Sequence, residues 1–293
     1  MRKNILEIVP YGGLCNRMRV IASARDIAQQ KNYELRIYWE ENKDCNAPFN
    51  ELFQPINKDI LTIIPVRAKD IIHLRPRRKN FYLPTLWRLL RWDIKKYSYN
   101  TSTTHTGYWH TYFDRQRRKK IPEQSPSFID IKETLVPGKN LIFTCYNLTP
   151  TYNCKDLFIP HQDIADQIKA RTAFFAQQTI GLHIRRTDHV SSITHSPIEL
   201  FYKKIDQTLR DNPEVKFFLA TDDEVVKEDL KTRYPSAILS NELSLTRGSL
   251  TGMKGAVVDL YCLSLCHKIL GSYTSSYSNI AAHLGDIELE IVK

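Results

Sequence analysis

The chain has 293 residues, of which 42% are hydrophobic and 25% are charged, and both values are close to those of ordinary folded domains. This composition excludes a mainly disordered chain and a small disulfide-dependent scaffold, and no apolar run approaches the ~18 residues that cross a bilayer. The net charge of +10 is concentrated in residues 67–120, which hold 15 basic and 3 acidic side chains. Such a segment can face nucleic acid, an anionic membrane or an anionic substrate, or it can be a solvated surface.

The chain opens on a predicted strand (residues 3–9), followed by a predicted helix (16–30) and a second strand (35–39). Between the first strand and the helix lies the sequence YGGLCNRM, whose glycines allow a tight turn and a close approach to a ligand. Asn16 is placed to cap the helix, where free N–H groups favour an anion. Gly13 and Asn16 therefore indicate either an anion site or an ordinary capped turn. Because no signal-peptide core precedes the strand, we expect a cytoplasmic protein.

Residues 43–160 have a less regular pattern, with short strands predicted near residues 61–65 and 141–146 and a helix near residues 84–95. In that helix, leucine and isoleucine recur at helical spacing, with arginine and lysine beside or opposite them. The pattern is typical of a helix lying in a membrane interface, or of an amphipathic helix packed on its own domain. We therefore expect peripheral contact of residues 67–120 with the inner face of the membrane as one of two alternatives.

From residue 161 the alternation of strands and helices is regular. Helices are predicted over residues 161–175, 197–210, 223–234, 255–267 and 275–284, and strands over residues 179–185, 215–221 and 268–273. Strands separated by such helices predict parallel βαβ units. Two such halves predict an α/β protein with two Rossmann-like domains facing across a cleft, residues 1–165 (with the basic insertion 67–120) and residues 166–293. Ligands of these sheets bind at the carboxyl ends of the strands.

The strand over residues 179–185 runs into the sequence HIRRTD, residues 183–188. Strand geometry places His183 and Arg185 on one face. A guanidinium group stays charged and matches a phosphate with two parallel hydrogen bonds. We therefore predict a phosphate contact for Arg185, Arg186 or both, and a local ion pair with Asp188 is the alternative.

Two further strand ends and one helix carry polar groups. LATDDE, residues 219–224, places three acids at a helix start; helix capping explains them, and we add a binding role for Asp222. GSYTSSYSN, residues 271–279, places Ser275 and Ser276 where they predict an anion cradle. Asp259, in the apolar stretch 256–265, is either exposed on one helix face or buried with a partner, and guanine with its two adjacent N–H donors suits it.

The six cysteines form no CxxC pair, and no histidine lies at zinc-site spacing. We predict free, mostly buried thiols, a reducing compartment and no metal site.

These motifs, in this order and spacing, resemble those of the GDP-fucose-dependent fucosyltransferase superfamily, especially the α-1,6-fucosyltransferases and the nodulation enzymes among them. The resemblance covers residues 5–53 moderately and residues 179–285 well, and it does not extend to residues 54–165. Its most specific part is HIRRTDHV (183–190), followed by PIE (197–199), ATDD (220–223) and RYP (233–235). It implies a GT-B-like fold and an inverting, metal-independent transfer from GDP-fucose.

The resemblance also implies roles for single residues. Carried over position by position, it assigns His183 to the nucleotide, Arg185 to the β-phosphate, Ser275 to a phosphate, Asp259 to guanine and Asp188 to the acceptor.

One departure from the family pattern falls on the acceptor side. The α-1,6 enzymes have a glutamate, thought to act as the base, shortly after HxRRTD, whereas residues 190–195 are VSSITH and contain no acid. His189 also replaces a lysine of the family. We expect the base, where the reaction needs one, among Asp188, His189 and His195; the alternative is that both histidines are solvent-exposed loop residues.

The sequence thus predicts a transferase that moves fucose from GDP-fucose to a saccharide acceptor, soluble or lipid-linked, without a nucleic-acid partner. Three alternatives stay open. The donor can be another GDP-sugar, or the protein can bind a nucleotide without catalysis, as the missing glutamate suggests. A nucleic-acid-binding protein that uses residues 67–120 is the third, and it leaves the motif at residues 183–188 unexplained.

Overall fold

The computed structural model describes residues 4–67, 131–132, 135, 137–242 and 246–293. The chain divides into two compact units: unit 1 is Met1–Phe49 with Pro55–Phe158, and unit 2 is Asn50–Gln54 with Ile159–Lys293. We placed the boundary after residue 165, which lies inside a helix that packs within unit 2. The basic segment beyond residue 67 and the helix predicted over residues 84–95 lie outside the described residues.

Unit 1 is built on a four-stranded parallel sheet with the strand order β3-β2-β1-β4. The strands are β1 (Ile5–Pro10), β2 (Glu34–Glu40), β3 (Thr62–Val66) and β4 (Lys139–Thr144). Helix α1 (Leu14–Lys31) connects β1 to β2, and the one-turn helix α2 (Phe49–Leu52) follows later in the chain. Every residue of β1 is buried, as expected for a central strand of a parallel sheet.

The turn before α1 differs from our prediction. Gly12 has a φ of 82°, a conformation that glycine adopts without steric cost, and it lets the helix begin at Leu14. The N-cap is Gly13, with no side-chain capping bond, and Asn16 lies inside the helix, so the predicted Asn16 cap is wrong. The buried Arg17 stabilises this turn, because its Nε donates to the Gly12 carbonyl over 2.9 Å.

Unit 2 contains a five-stranded parallel sheet with the strand order β7-β6-β5-β8-β9. The strands are β5 (Ile180–Ile184), β6 (Phe217–Thr221), β7 (Ile238–Ser240), β8 (Lys268–Ser272) and β9 (Glu288–Val292). The helices are α3 (Gln162–Thr172), α4 (Val190–His195), α5 (Ile198–Asp211), α6 (Glu224–Arg233), α7 (Leu250–Ser264) and α8 (Ser276–Gly285).

The order of the strands in unit 2 decides where a ligand can bind. From β5 the chain proceeds through β6 to β7 on one side, and β8 and β9 lie on the other side. The adjacent carboxyl ends of β5 and β8 therefore form a topological switch point, the usual ligand position in an open α/β sheet. Buried apolar side chains below this edge, among them Leu182, Phe201 and Leu270, form one core cluster that holds both strands.

Three elements of unit 2 are absent from the sequence prediction. They are the short strands β7 and β9 and the helix α4, which occupies a stretch that we expected to be a loop. Helix α4 begins because His189 caps it, with Nδ1 accepting from the Ser192 N–H over 3.1 Å. Helix α7 also begins five residues earlier than predicted, since Ser249 caps it by accepting from the Gly252 N–H.

The predicted state of the thiols is confirmed, because all six cysteines are free and five of them are buried. Among the helices that the structure describes, none is both long enough and apolar enough to cross a bilayer.

Candidate functional site

The residue after β5, Arg185, lies at the switch point of unit 2. Its backbone N–H donates to the Ser272 Oγ at the end of β8 over 3.0 Å, which fixes the chain between the two strands. Its guanidinium group pairs with Asp188 and, through Nη1, with the Asp222 Oδ2 at 3.0 Å. The predicted alternative, a local ion pair with Asp188, is therefore present, and the same guanidinium group lies at the edge of the sheet where ligands bind.

The adjacent acids after β6 have different functions. Asp223 is the N-cap of α6 and accepts from the N–H groups of Val225 and Val226, so the capping interpretation holds for this residue. Asp222 instead accepts from the Arg186 N–H over 2.7 Å and from the Thr187 hydroxyl over 2.7 Å. Asp222 thus ties the loop after β5 to the end of β6.

A second guanidinium group, which the sequence analysis missed, completes this cluster. The Arg247 Nη2 lies 3.3 Å from the Asp188 Oδ1 and 3.6 Å from the Asp222 Oδ2. Its backbone is fixed by the start of α7, because a Cβ on Gly252 would lie 1.8 Å from the Thr246 carbonyl oxygen and only glycine allows that approach. No pattern in the sequence pointed to Arg247, since the residues before Ser249 follow neither strand nor helix periodicity.

Neighbouring arginines lower the pKa values of both carboxylates. Partial burial is the largest single influence and would raise the pKa of Asp188 and of Asp222. At Asp188 the charges and hydrogen bonds of Arg185 and Arg247 together outweigh burial, and at Asp222 the Arg185 charge does so together with hydrogen bonds from Thr187 and Arg186. Both pKa values therefore lie below their ordinary range. The two guanidinium groups and the two carboxylates form a cluster without net charge at neutral pH. In this cluster a phosphate can take the place of one carboxylate beside the guanidinium groups.

His183 is buried inside β5, two residues before Arg185 in the chain. Its ring stacks on Tyr277 with a centroid distance of 4.8 Å, and its Nδ1 lies 2.7 Å from the Ser278 Oγ. Burial, followed by the nearby Arg185 charge, lowers the pKa of His183 to about 3. His183 is therefore a neutral hydrogen-bonding group at physiological pH and does not act as a cation.

The predicted anion cradle after β8 is a strained turn. Thr274 has a φ of 54°, which is rare for a β-branched residue and typical of functional turns. Ser275 caps α8 by accepting from the Tyr277 N–H, and Ser276 begins the helix. The turn is held in place at Tyr273, whose carbonyl accepts from the Ser192 hydroxyl over 2.7 Å.

The Arg186 guanidinium group contacts helix α4. Its Nη1 lies 3.4 Å from the Ile193 carbonyl oxygen, and its buried Nη2 has no hydrogen-bond partner among the residues that the structure describes. A buried guanidinium nitrogen without a partner is costly, which is consistent with the predicted contact of Arg186 with an anion.

The three candidate bases differ in chemistry. Asp188 forms ion pairs with Arg185 and Arg247. The Nδ1 of His189 accepts the hydrogen bond from the Ser192 N–H that caps α4. Burial and then the Arg185 charge lower the pKa of His189. His195 is exposed, and its Nδ1 donates to the Ser191 carbonyl over 2.9 Å, which leaves Nε2 with its lone pair.

Asp259 lies on α7 and is buried, with 7% of its surface exposed. Burial raises its pKa to about 7, against the smaller opposing effects of Asn241, Arg171 and Lys227. Its Oδ1 has no hydrogen-bond partner in the described part of the chain. Of the two predicted positions for Asp259, the buried one is therefore correct. The candidates Gly13 and Asn16 belong to unit 1, and the other predicted site residues belong to unit 2.

Residues 156–285 match the family described as Alpha-(1,6)-fucosyltransferase N- and catalytic domains. Among solved structures, the fucosyltransferase NodZ from Bradyrhizobium is 17% identical, with a TM-score of 0.57 over 95% of this chain and 92% of that one. POFUT1 in complex with GDP is 13% identical, with a TM-score of 0.56 over 100% and 99% of the chains. A mutant of Arabidopsis thaliana FUT1 in complex with GDP is 13% identical, with a TM-score of 0.57 over 98% and 70%.

These similarities confirm the predicted fold class, an α/β protein of the GT-B type with parallel sheets. The family match confirms the resemblance that the sequence motifs carry, and it includes every candidate site residue of unit 2. The predicted enzyme class, a fucosyltransferase-like glycosyltransferase, is confirmed with it.

Proposed function

We propose that this protein transfers fucose from GDP-fucose to a saccharide acceptor, with inversion at the sugar carbon and without a metal ion. The observation that carries the proposal is the pair of guanidinium groups, Arg185 and Arg247, at the switch point of unit 2. The choice of donor is supported by similar proteins, since NodZ was soaked with GDP-fucose and POFUT1 was crystallised with it.

The chemistry requires a fixed positive charge. When the bond between C1 of fucose and the β-phosphate oxygen breaks, negative charge develops on the departing GDP, and a preorganised guanidinium group stabilises that charge. We expect the phosphate to displace Asp188, because its side chain is 59% exposed whereas that of Asp222 is 13% exposed. Asp222, Arg186 and the turn at Ser275 and Ser276 would then hold the site around the diphosphate, and His183 would contact the nucleotide as a neutral donor or acceptor.

A titration of the protein with GDP, GDP-fucose, GDP-mannose and UDP-sugars tests this proposal. We expect measurable binding of GDP and GDP-fucose and weaker binding of UDP-sugars. A protein that prefers GDP-mannose uses another GDP-sugar, and one that binds GDP-fucose but neither hydrolyses nor transfers it is a non-catalytic nucleotide-binding protein. Absence of all nucleotide binding would contradict the proposal and favour the nucleic-acid alternative.

Transfer should continue in the presence of EDTA, because the two guanidinium groups supply the positive charge that a metal ion provides in other transferases. In the described ranges, no group of three or more His, Cys, Asp or Glu side chains is arranged to hold a metal ion. The check is an initial rate with EDTA and with added Mn²⁺. A rate that EDTA abolishes and Mn²⁺ restores would count against metal independence.

Among the candidate bases we expect His195 to matter most. Because its Nδ1 donates to the Ser191 carbonyl, its Nε2 carries the lone pair that can accept a proton from an acceptor hydroxyl, whereas Asp188 is a weak base because its pKa is lowered. His195→Ala should reduce kcat by about 10²–10⁴-fold with GDP affinity kept. The matched variants Asp188→Ala and His189→Ala show whether the effect is specific, and near-normal turnover in all three would mean that no base from these residues is needed.

The acceptor surface and the location in the cell are also proposals. We propose a cytoplasmic enzyme that contacts the inner face of the membrane through residues 67–120, where 15 basic side chains can bind anionic headgroups at about 1 kcal/mol each. This would suit a lipid-linked saccharide. Sedimentation with anionic and neutral vesicles at low salt tests it, and a protein that pellets with neither would contradict it.

A further inference from the structure

The buried carboxylate of Asp259 belongs to a chain of three polar side chains from three separate elements of unit 2. Asn241 follows β7, is 3% exposed, and its Oδ1 accepts from the Arg171 Nη2 over 2.9 Å. Arg171 lies near the end of α3, the helix that packs against α7. The side-chain amide of Asn241 in turn hydrogen-bonds Asp259.

Arg171 decides which way the Asn241 amide points. A guanidinium group is only a donor, so the atom that faces Arg171 must be the amide oxygen. The amide nitrogen is thereby directed to the other side, where it lies 3.5 Å from the Gly255 carbonyl oxygen and donates to Asp259. The carboxylate is held on one side, and its buried Oδ1 keeps no partner in the part of the chain that the structure describes.

An arrangement that only stabilised a buried acid would satisfy both of its oxygens, because an unpaired buried acceptor costs ~1–3 kcal/mol. Here one oxygen is fixed by the protein and the other is left for a ligand. A guanine base presents N1–H and the 2-amino group side by side, which is a matching pair of donors for one oriented carboxylate.

We infer that Arg171 and Asn241 are positioning residues that orient Asp259 toward guanine, and that the base selectivity of the donor site depends on them. This inference rests on the proposed function. Neither residue belongs to the motifs at the strand ends, and neither needs to touch the donor.

The experiment measures affinity for GDP, inosine diphosphate and UDP by isothermal titration. Inosine diphosphate lacks the 2-amino group, so the ratio of its Kd to that of GDP reports the second hydrogen bond to the carboxylate. We expect this ratio to fall about tenfold in Asn241→Leu and in Arg171→Met, because a misdirected carboxylate no longer distinguishes the two bases. Affinity for UDP should change less than affinity for GDP.

A double-mutant cycle shows whether the two residues act as one chain. If Arg171 works only through Asn241, the double variant should lose no more selectivity than Asn241→Leu alone. Lys169→Met, an exposed cation two residues away on α3, is the matched control and should keep the parent ratio. Thermal unfolding is measured for each variant, and Arg171→Met alone decides the question if Asn241→Leu does not fold.

The outcomes are distinct. An unchanged ratio in a folded Arg171→Met variant would overturn the inference, as would an equal loss for all three nucleotides, which indicates a structural role. A parent protein that does not bind GDP would instead contradict the proposed function.

Discussion

Replacing Arg185 with lysine is expected to lower kcat by about 10²–10³-fold, although the positive charge is kept. The guanidinium of Arg185 reaches Asp222 and Asp188 at once, and the same two-pronged geometry would serve two oxygens of a phosphate. A lysine offers a single ammonium on a flexible stem and cannot reproduce this fork. The loss should appear in kcat more than in KM for the donor, because the charge on GDP develops as the bond breaks.

The matched control is Arg233→Lys. Arg233 is in the same unit, its side chain is 49% exposed, and it lies over the Tyr202 ring at 4.5 Å, so the same substitution there should leave kcat at the parent value. Thermal unfolding of both variants separates a loss of chemistry from a loss of folded protein. Turnover of Arg185→Lys at the parent rate would remove Arg185 from the proposed mechanism.

The fold of unit 2 could be predicted where the sequence pattern is set by burial. Residues 180–184 and 217–221 form strands that are almost wholly buried, and they stand out as apolar runs between amphipathic helices. β7 has only three residues, and β9 at the sheet edge mixes exposed and buried positions, so neither gives a periodic signal. Their pairing with β6 and β8 is decided by tertiary contacts.

Site residues that lie at the ends of buried strands were predictable, because the strands themselves were. Arg185 and Ser275 were found because Arg185 directly follows β5 and Ser275 lies three residues after β8, and ligands of an open sheet bind at the ends of strands. Arg247 was missed because it follows no strand and reaches the cluster from the loop before α7. The different roles of Asp222 and Asp223 also depend on side-chain direction, which adjacent positions in a sequence do not disclose.

Asp259→Asn is expected to change binding and stability in opposite directions. Guanine recognition needs a carboxylate that accepts two N–H groups, and an amide presents a donor in place of one acceptor. GDP affinity should fall at least about 100-fold, with a much smaller change for UDP. An equal effect on both nucleotides would make Asp259 a structural residue.

The same substitution should stabilise the free protein at pH 8. Burial raises the pKa of Asp259 to about 7, so the folded protein retains a proton that the unfolded chain releases above pH 4. The unfolded state then binds fewer protons, and the contribution of this group to stability falls as the pH rises from about 4 to about 7 and stays low above that. Asn carries no such penalty, and the gain at pH 8 can reach about 4 kcal/mol.

Thermal unfolding of the parent and Asp259→Asn between pH 4.5 and pH 8 checks this prediction, with the exposed Asp211→Asn as the matched control. The difference in Tm between parent and variant should grow with pH, and that between parent and control should not. GDP affinity of the parent should rise over the same interval, because binding selects the ionised carboxylate that burial disfavours. A GDP affinity that is flat across this range would show that Asp259 is already ionised when free, and Arg171 and Lys227 would then offset its burial completely.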